Sequence, residues 1–288
     1  MRPPYGANCL VTIGGVSCGP VTMSSFLSPG WVELANGLVP LRCWWAPMQD
    51  NANDIALKTL VNRVYIVLPE VFGVNAWVRS VADRLAAQGY PALAVPLFSR
   101  TAPDLELAYD ASDLAEGRRH KDATTSEQIV ADVAAAVSWF RARYPQAAIH
   151  VVGFCFGGHA AFLAATLPGV EHAFDFYGAG VSRMRPGGGE PSLALLPEIK
   201  ARLTCVFGMA DPLIPPEDRE AIGAALSKVD PVGHRLVDVA LHLILVKPRT
   251  QPGALQRLVD GRDPRVVIAP LIVPAPIVRQ EGVEALLL

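Results

Sequence analysis

The clearest indication of the fold is the sequence Gly153-Phe154-Cys155-Phe156-Gly157-Gly158. It follows an apolar, β-rich run at 148–152 and precedes a run of small, helix-favouring residues at 159–165. The order strand, G-x-C-x-G, helix predicts a sharp turn, because glycine on both sides permits a strained backbone and a close approach of strand and helix. The helix N-terminus carries partial positive charge, so we expect Cys155 to favour the thiolate. A buried, inert cysteine beside a glycine-rich turn is the alternative.

Length and composition bound the class of protein. The chain has 288 residues, of which 51% are hydrophobic and 18% charged, which is typical of a globular protein with a sizeable core. The net charge of −2 shows no excess of positive charge of the kind that binds nucleic acid. The uncharged run 145–170 contains glycine pairs and histidines, which fit a strand-turn-helix better than a membrane span. We therefore expect no nucleic-acid partner and no membrane partner.

The cysteines indicate a reducing compartment. Five are present, namely Cys9, Cys18, Cys43, Cys155 and Cys205, with neither metal-ligand spacing nor the pattern of a small disulfide framework. An odd number fits reduced thiols in the cytoplasm. The first residues contain one arginine followed by two prolines and no clear apolar region, so no signal peptide is predicted. These features predict a cytoplasmic protein without a metal or another cofactor.

Strands and helices alternate along most of the chain. We predict a loose leader over 1–28, a single domain over 29–240, and an atypical segment over 241–288 that completes or replaces the end of the domain. Strands are predicted at 38–45, 64–68, 91–95, 148–152, 173–177, 203–207 and 235–239, and a long polar loop is predicted between Leu97 and Asp122. This alternation predicts an α/β fold with a mostly parallel sheet and helices on both faces.

Three helices have clear start signals. Asn75 is an N-cap, Thr125-x-x-Gln128 is a capping box, and Pro216 suits a first helical position. The predicted inward residues are Val78, Val81, Ala82, Leu85 and Ala86 in the first helix, Ile129, Val133, Val137 and Phe140 in the second, and Ile222, Leu226 and Val229 in the third.

Four chemically capable side chains follow predicted strands: Glu70, Arg100, Cys155 and Asp211. In a parallel sheet such groups collect in the crevice outside the carboxyl ends of the strands. Taken one at a time, these residues have alternative explanations without a function. Asp211 before a proline suits a turn, and Glu70 and Arg100 suit solvated loops. Their common position at strand ends favours one site.

Five motifs in order resemble the dienelactone hydrolase family, the carboxymethylenebutenolidases, a family with the α/β-hydrolase fold. They are Pro69-Glu70-Val71-Phe72-Gly73-Val74-Asn75, Leu97-Phe98-Ser99-Arg100, Gly153-Phe154-Cys155-Phe156-Gly157-Gly158, Phe176-Tyr177-Gly178 and Gly208-Met209-Ala210-Asp211-Pro212. The resemblance runs from about Trp31 to Val239. It departs at Pro96, where many members carry aspartate.

The resemblance implies a role for each site residue. Cys155 is the nucleophile and Asp211 the acid of a triad, and the Val71 and Phe156 amides form the oxyanion hole. It further implies that Glu70 holds the resting cysteine and Arg100 grips a substrate carboxylate, for which a planar guanidinium is suited. A thiolate attack on the carbonyl, an acyl-enzyme and release by water complete the implied chemistry.

The triad histidine is the point at which the match fails. The family places it in a short loop after the acid, and no such motif follows Asp211 here. His242 lies 31 residues beyond Asp211 (242 − 211), a suitable separation, but among aliphatic residues. His234 precedes the last predicted strand and is expected at the wrong end of the sheet. We also predict that the segment beyond about Val239 no longer follows the family's sequence and structure, and that it is a replaced or frame-shifted tail.

The sequence thus leaves three hypotheses. The first is a cysteine hydrolase acting on a small lactone or ester that bears a carboxylate. The second is a catalytically impaired family member that serves as a binding module because the histidine loop is missing. A serine-type esterase is disfavoured, since no G-x-S-x-G occurs. A monomer or weak homodimer is predicted.

Overall fold

Eight strands in one sheet organise the computed structural model, which describes residues 28–37, 39–48, 61–230 and 233–239. In chain order the strands are β1 (Gly30–Leu34), β2 (Leu41–Ala46), β3 (Arg63–Leu68), β4 (Ala92–Ala94), β5 (Ala148–Phe154), β6 (Val170–Phe176), β7 (Arg202–Gly208) and β8 (His234–Val239). The helices are α1 (Ala76–Ala87), α2 (Ala111–Asp122), α3 (Ser126–Arg143), α4 (Phe156–Ala164) and α5 (Pro216–Val229), with a 3-10 helix at Ser192–Glu198.

The sheet order is β1-β2-β4-β3-β5-β6-β7-β8. The pairs β1–β2 and β2–β4 are antiparallel, and every later pair is parallel. The connection from β3 through α1 runs toward β1, whereas the connection from β4 through α3 runs the opposite way to β5. Right-handed crossovers in opposite directions place their helices on opposite faces. The predicted mostly parallel α/β fold is confirmed.

The predicted helix signals operate as expected. The Asn75 side chain accepts from the Val78 amide at 3.2 Å, and Thr125 and Gln128 form the reciprocal capping box. Pro216 occupies the start of α5. All five predicted inward residues of α1 are buried. In α3, three of the four predicted residues are buried, and Val137 is only partly buried.

Four expectations were wrong. The predicted long loop contains helix α2, which starts at an Asp110 N-cap and has Leu114 and Gly117 as its buried residues. Such a polar helix carries almost no apolar periodicity, so the sequence pattern conceals it. Strand β1 was not predicted, because it is a short edge strand and is only partly buried. The strand predicted at 173–177 begins earlier, at Val170, so that His172 lies within β6, and Val229, expected to point inward, is 47% exposed at the end of α5.

Some predictions concern residues outside the described ranges. These are the leader up to residue 27, His242 and the segment 241–288. In the part of the chain that the structure describes, no helix combines the length and apolarity needed to span a bilayer.

Candidate active site

Cys155 occupies a strained turn between β5 and α4. Its backbone angles are φ 52° and ψ −120°, in a region that non-glycine residues rarely adopt. A Cβ on Gly153 would lie 1.8 Å from the Gly157 carbonyl oxygen, and one on Gly157 would lie 2.4 Å from the Leu68 oxygen. Glycine is therefore required at both positions for strand and helix to meet, as the sequence predicted.

The register of the parallel strands brings the end of β3 beside the end of β5. Leu68 pairs with Gly153, and Glu70 and Cys155 each follow two residues later. On the other side, the Cys155 amide donates to the Phe176 carbonyl at 3.0 Å. The Tyr177 amide, one residue on, donates to the Val206 carbonyl at 2.9 Å. The ladder thus continues past the strands and aligns Glu70, Cys155 and Tyr177 along one edge.

Glu70 is held by two phenols. The Tyr109 hydroxyl donates to Oε2 at 2.8 Å, and the Tyr177 hydroxyl lies 3.5 Å from Oε1. Burial raises the pKa of Glu70 to about 7, and these two hydrogen bonds oppose the rise. Sequence reasoning gave Tyr177 no role and missed Tyr109, which lies in an irregular stretch without periodic signal.

The expected thiolate is not favoured in the resting site. Burial, and then the negative charge of Glu70, raise the pKa of Cys155 to about 12, with a smaller contribution from Asp211. The Phe156 amide at the start of α4 lowers this pKa, as predicted for a helix N-terminus, and so does the charge of Arg118. Desolvation and the neighbouring carboxylates outweigh these effects, so the resting cysteine is a neutral thiol.

Arg100 is engaged with another side chain. Its Nη1 and Nη2 donate to Asp132 Oδ2 and Oδ1 at 2.8 and 2.9 Å. Asp132 is fully buried on α3 and also accepts from the Asn36 amide group. Two of the five guanidinium donors are therefore used. The Asp132 carboxylate thus binds the same guanidinium that the resemblance assigns to the substrate carboxylate.

Asp211 lies in the turn that follows β7. It is 7% exposed, and its Oδ1 accepts from the Leu213 amide at 2.9 Å. The negative charge of Asp211 raises the pKa of Cys155, so the two side chains are close enough to interact electrostatically. The structure thus brings Glu70, Cys155 and Asp211 together.

The described histidines form several contacts away from the elbow. His120 contacts Thr101 and Glu116, His159 contacts the Ala179 carbonyl and Ser192, His172 contacts Thr204, and His150 packs against Tyr65 and His172. His234 pairs with Leu203 at the start of β7, the end of that strand remote from Asp211, as predicted. None of these contacts involves Cys155 or Asp211.

The predicted oxyanion residues adjoin this site. Phe156 is the first residue of α4, and its ring stacks on Phe98 with centroids 5.8 Å apart. Val71 directly follows Glu70 and is 5% exposed. Over the described ranges, no cluster of three or more His, Cys, Asp or Glu residues is arranged for a metal ion.

The sheet order, the elbow after β5 and the acid after β7 define an α/β hydrolase. The sequence model of the dienelactone hydrolase family matches residues 55–236, and the chain belongs to this family. The family acts on lactone or ester bonds, so the prediction of such a hydrolase is confirmed at family level.

Individual relatives agree with this assignment. The chain is 37% identical over 175 residues to a putative carboxymethylenebutenolidase of Synechocystis sp., across 60% of this chain and 71% of that protein. It is 32% identical over 161 residues to a carboxymethylenebutenolidase of Pseudomonas putida, across 55% of this chain and 65% of that protein. A putative dienelactone hydrolase structure from Klebsiella pneumoniae superposes with a TM-score of 0.61 at 22% identity, covering 73% of this chain and 84% of that one, which shows the fold.

Proposed function

We propose that the protein hydrolyses a small lactone or ester bearing a carboxylate, with Cys155 as the nucleophile. The observation that carries the proposal is the backbone of Cys155, held at φ 52° at the end of β5 beside Glu70. Such a conformation costs about 1–3 kcal/mol and persists where the surrounding structure enforces it, typically at functional sites. A merely structural cysteine needs no such turn.

The reaction proceeds in two stages. The Cys155 sulfur attacks the carbonyl carbon, an S–C bond forms, and the C–O bond of the ester or lactone breaks as the leaving oxygen takes a proton. Water then attacks the thioester and restores the thiol. The amides of Val71 and Phe156 stabilise the oxyanion in both stages. His242, oriented by Asp211, takes the thiol proton as the sulfur attacks and gives it to the leaving oxygen, and it then takes a proton from the attacking water and returns it to the sulfur. Arg100 contributes its remaining donors to the substrate carboxylate.

The protonation of the resting thiol sets a condition on this assignment. A thiol with a pKa of about 12 is protected from oxidation and alkylation between turnovers. Glu70, with a pKa of about 7, changes charge in the physiological range and thereby changes the field at the sulfur. The site therefore requires a base or a bound substrate to generate the thiolate.

A second candidate function is a binding module that has lost catalysis. It is favoured by the contacts of the described histidines, which lie away from Cys155 and Asp211, and by the raised thiol pKa. The two candidates differ in whether His242 serves the reaction.

Two variants of the full chain test these candidates. Cys155→Ala is expected to abolish hydrolysis of a 4-nitrophenyl ester with a free carboxylate while the circular dichroism spectrum is retained. Cys155→Ser is expected to be poor as well, since a hydroxyl needs stronger activation. His242→Ala is expected to lower kcat by roughly 10²–10⁴-fold, the usual share of an acid–base group.

The outcomes separate the alternatives. Turnover at the wild-type rate in Cys155→Ala would end the nucleophile assignment. An inactive wild type, on which His242→Ala has no further effect, would support the binding module. The predicted cytoplasmic location and the monomer or weak homodimer remain predictions, which fractionation and sedimentation test.

A further inference from the structure

Helix α2 rests directly on the backbone of the candidate oxyanion loop. Gly117 is buried in this helix, and a Cβ at its position would lie 2.3 Å from the Val71 carbonyl oxygen and 3.0 Å from the carbonyl carbon. No larger residue fits this approach. The residue that follows Gly117 is therefore one position away from a direct contact between helix α2 and the candidate oxyanion loop.

That residue is Arg118, and it differs from its charged neighbours. Arg119 and His120 both pair with Glu116, and Lys121 pairs with Asp122. Arg118 is exposed and forms no ion pair with any residue in the described ranges. Its five donors stay open to a ligand, unlike those of Arg100, two of which are bound by Asp132.

The charges around the sulfur require a cation for an anionic substrate. Glu70 and Asp211 both act on Cys155 with negative charge, and Arg118 acts on it with positive charge. A carboxylate that approaches the sulfur without Arg118 meets two like charges. A guanidinium at the rim offsets them and pairs with a carboxylate in bidentate geometry.

We propose that Arg118 is a second specificity-determining residue for anionic substrates, in addition to Arg100, and that its guanidinium contacts the substrate carboxylate while the carbonyl carbon lies at the Cys155 sulfur. This inference rests on the proposed function and deepens it, because it names a further side chain that selects the charge of the substrate. Arg118 forms this contact at the solvent boundary, where a charge pair changes affinity by up to about fivefold rather than by orders of magnitude.

Alkylation of Cys155 tests the proposal without relying on turnover. Iodoacetate and iodoacetamide both lose iodide to the thiolate as the S–C bond forms, but only iodoacetate carries a carboxylate. The ratio of their rates at Cys155, measured by mass spectrometry of its peptide with excess reagent at pH 9, reports anion preference. Any change in the thiol pKa affects both reagents equally and cancels in the ratio.

The matched variants are Arg118→Gln, Arg118→Lys and Arg119→Gln. In Arg118→Gln we expect the iodoacetate to iodoacetamide ratio to fall about fivefold at low salt, and the difference to shrink in 1 M salt, where charges are screened. Arg118→Lys is expected to recover most of the ratio. Arg119→Gln removes the same charge one position along α2 and is expected to leave the ratio unchanged.

Two results would overturn the proposal: an unchanged ratio in Arg118→Gln, or an equal fall in Arg119→Gln. The same variants are then compared on a neutral ester and a carboxylate-bearing ester of equal size, where Arg118→Gln is expected to lower kcat/KM for the anionic ester alone. A wild type that cleaves neither ester refutes the proposed function, and the alkylation ratio still decides the role of Arg118.

Discussion

The charge of Glu70 affects the protonation of Cys155, because a negative carboxylate beside the sulfur raises the pKa of the thiol. The carboxyl has a pKa of about 7 and the thiol one of about 12, the latter raised first by burial and next by Glu70 itself. At neutral pH the thiol is therefore protonated while the carboxyl is divided between its two forms. Sequence reasoning located both residues, because each directly follows a strongly apolar strand. The direction of the thiol shift depends first on burial and then on the charge of Glu70, and no local sequence pattern indicates either.

Neutralising Glu70 is expected to make Cys155 more reactive. Glu70→Gln removes the nearest negative charge, so the pKa of Cys155 falls and a larger fraction is thiolate. We expect alkylation by iodoacetamide at pH 8 to accelerate about threefold to tenfold, which corresponds to about 0.6–1.4 kcal/mol. The measurement is the pH–rate profile of alkylation at the Cys155 peptide.

The control for this prediction is Glu190→Gln, which removes a charge from an exposed position in a loop. It is expected to leave the profile unchanged. A Glu70→Gln protein with the wild-type profile would mean that Glu70 is a loop carboxylate without influence on the nucleophile.

Among the strands and helices, those stabilised by apolar burial were predicted correctly from the sequence. The polar ones were not. Strand β3 and helix α1 were evident, since five of the six β3 residues and every expected α1 position are buried. The sequence pattern predicts a loop where helix α2 lies, because half of its 12 residues are charged. That error concealed Arg118, whose position depends on Gly117 and cannot be deduced from the spacing of charges.

The end of β6 supports the elbow through a buried acid. Asp175 is fully buried, its Oδ1 accepts from the Gly178 amide at 2.8 Å, and a Cβ on Gly158 would lie 2.4 Å from that oxygen. Burial raises the pKa of Asp175 to about 8 from an ordinary value of 3.8, and hydrogen bonds from Gly178 and Cys205 oppose the rise. The carboxyl is thus protonated in the folded protein over most of the acid and neutral range.

Asp175→Asn is expected to change the pH dependence of stability. Because the folded pKa lies above the unfolded one, wild-type stability from this group is complete below pH 4 and is lost as the pH rises toward 8. The loss reaches at most about 1.4 kcal/mol per pH unit. Asparagine keeps an acceptor for Gly178 and does not titrate, so the variant is expected to gain on the wild type between pH 5 and 8.

Urea unfolding of both proteins at several pH values measures this difference, with the exposed Asp122→Asn as a control. Parallel stability curves for wild type and Asp175→Asn would show that Asp175 has an ordinary pKa in the folded protein.

For the molecule as a whole, sequence reasoning recovered the sheet, its mostly parallel order and the strand ends that carry Glu70, Cys155 and Asp211. It succeeded because apolar strands and glycine turns can be recognised from short stretches of sequence. Parallel pairing then places the carboxyl ends of these strands at the same edge of the sheet. It did not foresee that Arg100 is bound by Asp132, since that contact joins residues 32 positions apart through the buried face of α3. His242 and the segment 241–288 lie outside the described residues.

The β1–β2 hairpin lies outside the span 55–236 that the family model matches, yet it is built into the core. β2 pairs with β4, and Leu41 and Trp45 are fully buried. A protein trimmed to begin at residue 55 is therefore expected to expose the β4 edge, to aggregate on size exclusion and to melt at a lower temperature than the full chain. Equal melting temperatures and monodisperse elution would contradict this.

The hairpin is also connected to a residue of the candidate active site, because Asn36 donates a hydrogen bond to the Asp132 carboxylate, which binds Arg100. Asn36→Ala in the full chain separates the loss of this hydrogen bond from the loss of two strands. We therefore expect the smallest segment that folds stably to be longer than the segment 55–236 that the family model matches. Boundaries for expression, grafting or fusion are better drawn from the first edge strand than from the borders of homology.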